Sequence, residues 1–530
     1  MPERIAPAAQ LLLGDEAVAL AALHAGITAA YAYPGTPSTE IVEALIAQGT
    51  PNARWCANEK TAYEEALGVS MAGRRVLVAM KHVGLNVAAD PFMNSAVVAP
   101  KGGLVVAVAD DPGMHSSQNE QDSRFYADFA RIPCLEPADP QQAYDMTREA
   151  FEVSEHFRMP VLLRLVTRVA HQKALVRLAD ERDENDVEID RAKNNWVLLP
   201  AFARKRWQSR LEQQQQIREW SEASRHGQLS AGSARLGVIT TGIARSYYLE
   251  AARELHEQPA HLHIATYPIP MDKVRQLVAS VSEVLVIEEG YPFVERLLRG
   301  IVPPPVKVRG RQSGEMPEAG ELNTDLVRAA LGLAPRTGMP SVALPERPPR
   351  LCDGCPHIDA FTALGDALQG YATPLVMGDI GCYTLGALPP YEIGDSCVCM
   401  GASIGMAKGA SEAGVFPAVA IIGDSTFLHS GITPLLDVVA HHANVTVLIL
   451  DNHVVAMTGA QPTLMPPGRL QPIVLGTGID PAHCHVFQSH PKKVAELTEL
   501  LRREIAFPGP SVVIVERECV EAAKKNKRRG

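Results

Sequence analysis

Short apolar runs separated by helix-length segments dominate the first third of the chain. Four such runs occupy residues 27–33, 76–80, 104–108 and 161–165. Runs of this length and spacing are typical of buried parallel strands joined by crossover helices. We therefore predict an α/β domain over residues 1–180.

The same pattern returns twice, and each time it follows a change in composition. A second block at 233–335 predicts a smaller α/β domain, and a third at 351–520 predicts another α/β domain. Residues 181–232 between the first two blocks carry a charge run and a polar helix, which predicts a helical linker. The Pro-rich residues 336–350 predict a stiff connector.

The composition of the chain argues against several classes of function. Of 530 residues, 46% are hydrophobic and 21% are charged, as in an ordinary globular protein. The net charge of −10 argues against nucleic acid as a partner, and the basic residues 521–530 are predicted to be a frayed, solvated tail. Nine cysteines are too sparse for a disulfide framework and suggest a reducing compartment. Without a long apolar run or a signal pattern, we predict no membrane association and a cytoplasmic protein.

Two polar segments follow neighbouring apolar runs of the third block. The first is Gly423-Asp424-Ser425, and the second is Asp451-Asn452-His453-Val454. Because the carboxyl ends of parallel strands meet at one edge of a sheet, we expect these segments to lie together where ligands of such folds bind. Oxygen ligands of this kind suit Mg²⁺ bound to a diphosphate.

These residues resemble the signature of thiamine-diphosphate enzymes, in which Gly-Asp-Gly is followed one strand later by Asn-Asn. The resemblance implies that Asp424, the Asn452 side chain and the Val454 carbonyl bind Mg²⁺. Ser425 and Asp451 depart from the signature, and Ser425 requires a turn without positive φ. The implied cofactor-binding set also includes Gly423, Ser425 and Thr458.

A narrower resemblance, to the 2-oxoacid:ferredoxin oxidoreductases, covers nearly the whole chain. Residues 456–461 resemble their Thr-Gly-Gly-Gln segment. Further segments resemble the large (alpha) subunits of the indolepyruvate ferredoxin oxidoreductases, namely 83–86, 115–124, 352–357 and 378–383. The implied fold has a pyrimidine-binding and a diphosphate-binding parallel-sheet domain, separated by a smaller transketolase-C-terminal-like α/β domain.

The resemblance also implies roles for residues of the first block. Glu59 would contact the aminopyrimidine of thiamine diphosphate and assist its activation. Thr36 would bind the carboxylate of the 2-oxoacid. Lys81 and His82 are not part of the resemblance, but their place at another predicted strand end suggests that they approach the reacting carbonyl. Taken without the resemblance, Glu59 is typical of a surface carboxylate, and Thr36 is typical of a Pro-bounded turn.

Four cysteines of the third block match the ligands of one proximal [4Fe–4S] cluster in this family. They are Cys352, Cys355, Cys382 and Cys519. A structural zinc ion is the alternative, since soft thiolates select either. Cys397 and Cys399 could replace one ligand, but we predict that they are core thiols.

The implied reaction is oxidative decarboxylation of an aryl 2-oxoacid to an acyl-coenzyme A thioester. Met457 stands where pyruvate-specific relatives have Asn, which fits either a larger aryl substrate or plain packing. The implied partners are coenzyme A, a smaller beta subunit and ferredoxin, in a dimer of heterodimers or a higher assembly. Ferredoxin-like cysteine runs, common at the end of such large subunits, do not occur before Gly530. Either another subunit carries those clusters or the electron route differs.

Two alternatives remain open at this point. One is a non-oxidative thiamine-diphosphate decarboxylase or carboligase, whose cysteines bind zinc or nothing. The other is a non-catalytic subunit that binds thiamine diphosphate as a structural or regulatory ligand, although Glu59 argues against it.

Overall fold

The computed structural model describes residues 9–336 and 349–529. They fall into two units, and the boundary between the units lies within 337–348, outside the described residues. Most of the predicted connector, 336–350, therefore has no described structure.

The described part of the first unit contains fourteen strands and fourteen helices. The strands are β1 (Ala9–Leu13), β2 (Ile27–Ala32), β3 (Ala53–Trp55), β4 (Arg75–Lys81), β5 (Leu104–Asp110), β6 (Cys134–Leu135), β7 (Val161–Val166), β8 (Lys173–Arg177), β9 (Leu229–Ser230), β10 (Leu236–Thr241), β11 (Ala260–Ile264), β12 (Thr266–Tyr267), β13 (Glu283–Ile287) and β14 (Lys307–Arg309). The helices are α1 (Gly14–His24), α2 (Thr39–Ala47), α3 (Glu59–Met71), α4 (His82–Val87), α5 (Ala89–Ser95), α6 (Arg124–Ala130), α7 (Pro140–Phe157), α8 (Thr167–His171), α9 (Lys193–Trp196), α10 (Pro200–Ala223), α11 (Ala244–Ala252), α12 (Met271–Ala279), α13 (Phe293–Ile301) and α14 (Thr324–Ala330).

Two larger sheets organise the first unit. One has the order β12-β6-β7-β5-β4-β2-β3 and is parallel except for β12. The other has the order β14-β13-β10-β11-β9 and is parallel except for β9. Every residue of β5 is buried, as expected for a parallel strand covered on both faces. A separate antiparallel pair joins β1 to β8.

Two fully buried arginines connect elements of the two sheets. The Arg164 guanidinium donates to Asp110 at 2.7 Å and to Glu136 at 2.5 Å. The Arg124 guanidinium donates at 2.9 Å to Glu288, which follows β13 of the second sheet. Buried charges of this kind are tolerated only when they are paired, so the network holds its members in one arrangement.

The second unit is built on one parallel sheet of order β15-β16-β17-β21-β20, with a short β18-β19 hairpin beside it. Its strands are β15 (Leu375–Met377), β16 (Ala418–Gly423), β17 (Thr446–Asp451), β18 (Val454–Val455), β19 (Gln461–Pro462), β20 (Cys484–Gln488) and β21 (Ser511–Glu516). Its α-helices are α15 (Pro356–Leu368), α16 (Ala402–Glu412), α17 (Asp424–Thr426), α18 (Ile432–Ala440), α19 (Leu470–Gly476), α20 (Val494–Ala506) and α21 (Val520–Arg529). A π-helical turn, Phe427–Gly431, joins α17 to α18, and 3₁₀ turns occupy Cys382–Ala387, Ala456–Thr458, Pro481–His483 and Pro491–Lys493.

The predicted α/β class with parallel-strand sheets is confirmed, while the domain bounds themselves stay a prediction. Within the predicted linker, 181–232, helix α10 packs on the first unit: its Ile217 is buried in the core, and Arg210 donates to the carbonyl of Phe157 at 2.9 Å. The predicted frayed tail is wrong for the described residues. They form helix α21, whose Ala522 is buried, because that apolar side chain gives the helix a face to pack.

Candidate active site

Asp424 lies at the carboxyl edge of the second unit's sheet, directly after β16. Its carboxylate accepts hydrogen bonds from the backbone N–H of Ser425 at 2.8 Å and of His453 at 3.0 Å. The second bond brings together the two segments that the sequence predicts to meet. Burial, with the neighbouring Asp451 carboxylate, raises the pKa of Asp424 well above its usual range.

The turn after β17 presents the second segment to Asp424. His453 has φ 66°, in the left-handed region, so its N–H points at the carboxylates of Asp424 and Asp451, the latter at 3.1 Å. Asn452 is buried, and its side-chain oxygen accepts a hydrogen bond from the Val454 N–H at 3.1 Å. The turn thus brings the Asp451 carboxylate and the His453 N–H to Asp424.

The other predicted cofactor residues occupy the same edge with different contacts. Ser425 lies in helix α17 without positive φ, as its place in the motif requires. A Cβ atom on Gly423 would lie 2.7 Å from the ring of Tyr383, so only glycine fits there. Thr458 is half-buried, and its hydroxyl donates to the Gln461 side chain at 2.6 Å.

Asp379 is a residue of this edge that the sequence reasoning missed. It follows β15 and is fully buried, and its carboxylate accepts from the N–H of Gly401 at 2.9 Å and of Ser403 at 3.0 Å. It therefore fixes the start of helix α16. The signal was available, because Gly378-Asp379 repeats the strand-Gly-Asp pattern of Gly423-Asp424.

The four predicted cysteine ligands lie close enough together to influence one another's ionisation. Burial, together with the thiols of Cys352 and Cys519, raises the pKa of Cys355 to about 11. Burial, together with the other three thiols, raises the pKa of Cys382 to about 12. The chain therefore collects, around one point, thiols from three widely separated segments.

These thiols are not packed at the spacing of a zinc site. Tetrahedral Zn²⁺ with bonds near 2.3 Å holds its sulfur ligands about 3.8 Å apart. In the described part of the chain, the only set of three or more Cys, His, Asp or Glu ligand atoms within 4.8 Å of one another is Asp15, Glu40 and His171. No three of the four thiols meet that criterion.

Cys397 and Cys399 contradict the prediction that they are core thiols, since both are exposed. They lie between the 3₁₀ turn Cys382–Ala387 and helix α16, and the sulfur of Cys397 lies 3.9 Å from the hydroxyl of Thr384. The sequence pattern around them has no apolar periodicity that would have required burial.

A short chain of contacts joins Asn452 to the thiols. The Cys519 N–H donates to the Asn452 carbonyl at 3.3 Å. The Asn452 side-chain nitrogen lies 3.5 Å from Nε2 of His357, whose Nδ1 lies 3.5 Å from the Cys355 sulfur. Burial lowers the pKa of His357 to about 4, so its imidazole is neutral. The sequence places His357 in the family-like segment 352–357 but predicts no separate role for it.

Glu59 begins helix α3 of the first unit and is buried. The Asn58 side chain caps this helix by accepting from the Thr61 N–H at 2.8 Å. The backbone of Gly84 faces the Glu59 side chain so closely that a Cβ on Gly84 would lie 2.6 Å from its Oε1. The reading of Glu59 as a surface carboxylate is therefore wrong.

Thr36 and Lys81 are linked through Ser116. The buried Lys81 ammonium donates to the Ser116 carbonyl at 2.8 Å, and the Ser116 hydroxyl donates to the Thr36 carbonyl at 3.1 Å. The Lys81 chain also lies against Gly35, where a Cβ would be 3.2 Å from its Cδ. Burial lowers the pKa of Lys81 to about 8.

His82, next to Lys81, is buried with one free ring nitrogen. Its Nε2 lies 3.1 Å from the Asn119 carbonyl, so Nε2 carries the proton and donates. Nδ1 has no hydrogen-bond partner among the described residues. Burial lowers the pKa of His82, which keeps the ring neutral and leaves Nδ1 as an acceptor.

Comparisons with known proteins bear on both units. Residues 20–199 match the model of a pyruvate flavodoxin/ferredoxin oxidoreductase thiamine-diphosphate-binding domain, and residues 379–515 match that of the C-terminal domain of thiamine pyrophosphate enzymes. The indolepyruvate oxidoreductase subunit IorA of Archaeoglobus fulgidus is 37% identical, over 98% of this chain and 88% of the relative. The chain belongs to this IorA family.

A second IorA subunit agrees with this assignment. The IorA subunit of Methanothermobacter thermautotrophicus is 36% identical over 96% of this chain and 86% of its own length. A solved 2-oxoglutarate:ferredoxin oxidoreductase from Magnetococcus marinus aligns with a TM-score of 0.49 at 15% identity, covering 61% of this chain and 65% of that one. From the two family models and the IorA relatives, the chain is an oxidoreductase subunit with thiamine-diphosphate-binding domains. None of the helices in the described ranges is long and apolar enough to cross a membrane.

Proposed function

We propose that this chain is the catalytic large subunit of an oxidoreductase that converts aryl 2-oxoacids to acyl-coenzyme A, CO₂ and reduced ferredoxin. The observation that carries the proposal is that the His453 N–H donates to Asp424, while the adjacent Asn452 contacts His357, which in turn contacts Cys355. It supports a cofactor site and a one-electron acceptor side by side, which a non-oxidative decarboxylase does not need.

The residues at the sheet edge fit Mg²⁺ bound to a diphosphate. Asp424 is a buried carboxylate that accepts from two backbone N–H groups and faces the Asp451 carboxylate, and a cation would offset the charge of these neighbours. The Asn452 carboxamide and the Val454 carbonyl add the neutral oxygens that Mg²⁺ accepts beside one or two carboxylates. We assign these three residues as the metal ligands.

The cysteine set fits a [4Fe–4S] cluster better than zinc. The mutual electrostatic effects on Cys355 and Cys382 indicate that the four thiols are close enough to serve one metal centre, which would bind their deprotonated forms. A cubane cluster holds its four thiolates further apart than a single tetrahedral ion does, which agrees with the absence of any three of these thiols within 4.8 Å. Cys352, Cys355, Cys382 and Cys519 are the proposed ligands.

Glu59 is the proposed proton-handling group of the first unit. Thiamine diphosphate, when bound, supplies the nucleophilic carbon that attacks the keto group and retains the electron pair left by CO₂. A buried carboxyl group can share a proton with a ring nitrogen and so promote loss of the cofactor's C2 proton. The absence of a side chain at Gly84 leaves room for Glu59 in its present position.

Three further residues are proposed to bind the 2-oxoacid. The Lys81 ammonium and the Thr36 hydroxyl suit its carboxylate, and the free Nδ1 of the neutral His82 suits a hydroxyl group formed from its keto oxygen. The aryl preference comes from the substrate named for the relatives. Met457 adds no support, because its side chain is 63% exposed in the described unit.

The balanced reaction defines the partners. One 2-oxoacid, one coenzyme A thiol and two oxidised ferredoxins give one thioester, one CO₂, one proton and two reduced ferredoxins. We propose that a smaller beta subunit and ferredoxin, or a ferredoxin-like subunit, complete the system as a dimer of heterodimers or a higher assembly. The cytoplasmic location stays a prediction.

The decisive experiment uses the anaerobically purified complex, with thiamine diphosphate and Mg²⁺ added. Viologen reduction is followed with phenylpyruvate and indolepyruvate, with and without coenzyme A. We expect coenzyme-A-dependent reduction and thioester product. Arylacetaldehyde without dye reduction would instead identify a non-oxidative decarboxylase, and cofactor binding without any product would identify a non-catalytic subunit.

A further inference from the structure

Three side chains of the first unit, distant in sequence, meet outside the residues assigned above. Asp15 stands in the first turn of α1, Glu40 in the first turn of α2, and His171 at the end of α8. One ligand atom from each lies within 4.8 Å of the other two. An imidazole and two carboxylates therefore converge where three helices meet.

Asp15 is the unusual member of this group. Its side chain is 0% exposed, and neither carboxylate oxygen has a hydrogen-bond partner in the described structure. Burial and the carboxylates of Glu40 and Glu16 all raise the pKa of Asp15. A buried carboxylate without donors is costly, so the group requires either a proton or a cation.

The backbone holds this carboxylate in place. A Cβ atom on Gly14 would lie 2.0 Å from the Val169 carbonyl oxygen, so the start of α1 is pressed against α8 in a way only glycine permits. The Gly14 N–H also donates to the Gln172 carbonyl at 3.0 Å. The backbone at the start of α1, from which the Asp15 side chain projects, is therefore held against α8.

The donor set indicates the class of ion. Mg²⁺ and Ca²⁺ prefer oxygen ligands alone, whereas imidazole with carboxylate suits first-row transition metals, among which Zn²⁺ takes three protein ligands and a water. The side chains of Glu40 and His171 are each 36% exposed, which leaves an entry path and a position for that water. The His171 Nε2 already lies 3.6 Å from the Glu40 carboxylate.

We propose that Asp15, Glu40 and His171 bind a divalent transition-metal ion of the Zn²⁺ type. The ion joins α1, α2 and α8. Helix α2 begins directly after the segment that contains Thr36. By holding the start of α2, the ion also restrains the position of that segment. This site is separate from the four cysteines and from Asp424, which lie in the other unit.

A proton shared between Asp15 and Glu40 is the competing explanation for the buried carboxylate, and the two make opposite predictions for Asp15→Asn. If the two carboxylates share a proton, the amide of the Asp15→Asn variant can take the place of the protonated carboxyl group. Neither the variant nor the wild type then binds metal at this site. If an ion is bound, Asp15→Asn removes a ligand. The affinity for zinc then falls by more than the roughly 10–100-fold seen when an outer hydrogen-bond partner is lost.

The test uses the full chain in its complex, purified anaerobically with the iron–sulfur site loaded, so that the cysteines are occupied. After treatment with a chelator for weakly bound divalent ions, Zn²⁺ is titrated by calorimetry and Co²⁺ by absorption. We expect one equivalent of each, with weak d–d bands from Co²⁺ and no thiolate charge-transfer band. Zn²⁺ should also raise the melting temperature of the wild type.

Matched variants locate the site. Asp15→Asn, Glu40→Gln and His171→Gln should each lose the equivalent of metal and the metal-dependent rise in melting temperature. Glu43→Gln, the same change one turn further along α2, should keep both. The last two ligand variants alter partly exposed side chains, so they remain informative if Asp15→Asn folds poorly. Metal binding unchanged in all three ligand variants, or no metal binding by the wild type, would overturn the proposal.

Discussion

Gly84→Ala is predicted to impair catalysis by displacing Glu59 while leaving the fold intact. The new methyl group would lie 2.6 Å from Oε1, 2.8 Å from Cγ and 2.9 Å from Cδ of Glu59. The end of a flexible side chain yields more easily than backbone, so the carboxylate moves by about 1 Å. A misplacement of about 1 Å costs on the order of 10²-fold in rate, which corresponds to about 2.7 kcal/mol of transition-state stabilisation.

The stability of this variant should change little. Alanine is favoured over glycine within a helix by about 1 kcal/mol, and this gain offsets much of the overpacking, which costs about 1–3 kcal/mol. Gly68→Ala supplies the control, because Gly68 lies in helix α3 with no atom within 4 Å of a new Cβ. That variant should keep full activity and gain slightly in melting temperature.

The assay is the exchange of the C2 proton of bound thiamine diphosphate with deuterium, measured by quenched-flow NMR, beside coenzyme-A-dependent viologen reduction. Glu59→Gln should lose about 10²–10⁴-fold in exchange. Combining it with Gly84→Ala should cost nothing further, because both changes remove the same interaction. A folded Gly84→Ala variant with wild-type exchange, or a double variant whose losses multiply, would refute the reasoning.

Three other changes test separate parts of the molecule. Burial lowers the pKa of Lys81 to about 8, so KM for the 2-oxoacid should rise above about pH 8 as the ammonium deprotonates. The Lys81→Arg variant should show a much smaller rise of KM with pH. An unchanged rise in that variant would exclude Lys81 as its source. Cys519→Ser should lower iron content and abolish the reduced-cluster EPR signal, while Cys399→Ser keeps both; equal iron in the two variants would contradict the ligand set. Arg164→Met leaves buried carboxylates unpaired and should destabilise the first unit by about 3–5 kcal/mol, as measured by hydrogen exchange. The control Arg168→Met removes an exposed ion pair and should cost only about 0–1 kcal/mol. Similar losses in the two variants would contradict the role of the buried network.

The strands could be predicted because parallel strands covered on both faces read as uninterrupted apolar runs. The run at 104–108 is the buried strand β5 (Leu104–Asp110), and the apolar run before Asp424 is β16 (Ala418–Gly423). The sequence could not show that the linker helix α10 packs on the first unit, since only three of its residues are buried. So sparse a pattern is typical of a solvated helix.

The position of Cys519 relative to the other cysteines could not be predicted from local sequence patterns. Its assignment with the other cysteines came from resemblance, since strand order is not encoded in any local pattern. In the structure β21 pairs with β17, and Asp451 lies opposite Glu516. That register brings Cys519 beside Asn452. Asp15 was missed for a related reason: an acidic residue in the first turn of a helix is usually a solvated partner of the helix dipole, and only the packing of α2 and α8 buries it.

Asp451 is the clearest departure from the thiamine-diphosphate signature, and its surroundings explain why the site tolerates it. An unpaired second carboxylate beside Asp424 would be costly in a buried position. Here the His453 ring nitrogen Nδ1 lies 2.8 Å from the Asp451 carboxylate, and the His453 N–H donates to it at 3.1 Å. Because His453 pairs with Asp451, the Asp424 carboxylate is left for the proposed Mg²⁺, while Asn452 contacts His357 and the Cys519 N–H. The substitution of Asp for Asn therefore comes with a histidine two residues later that offsets it.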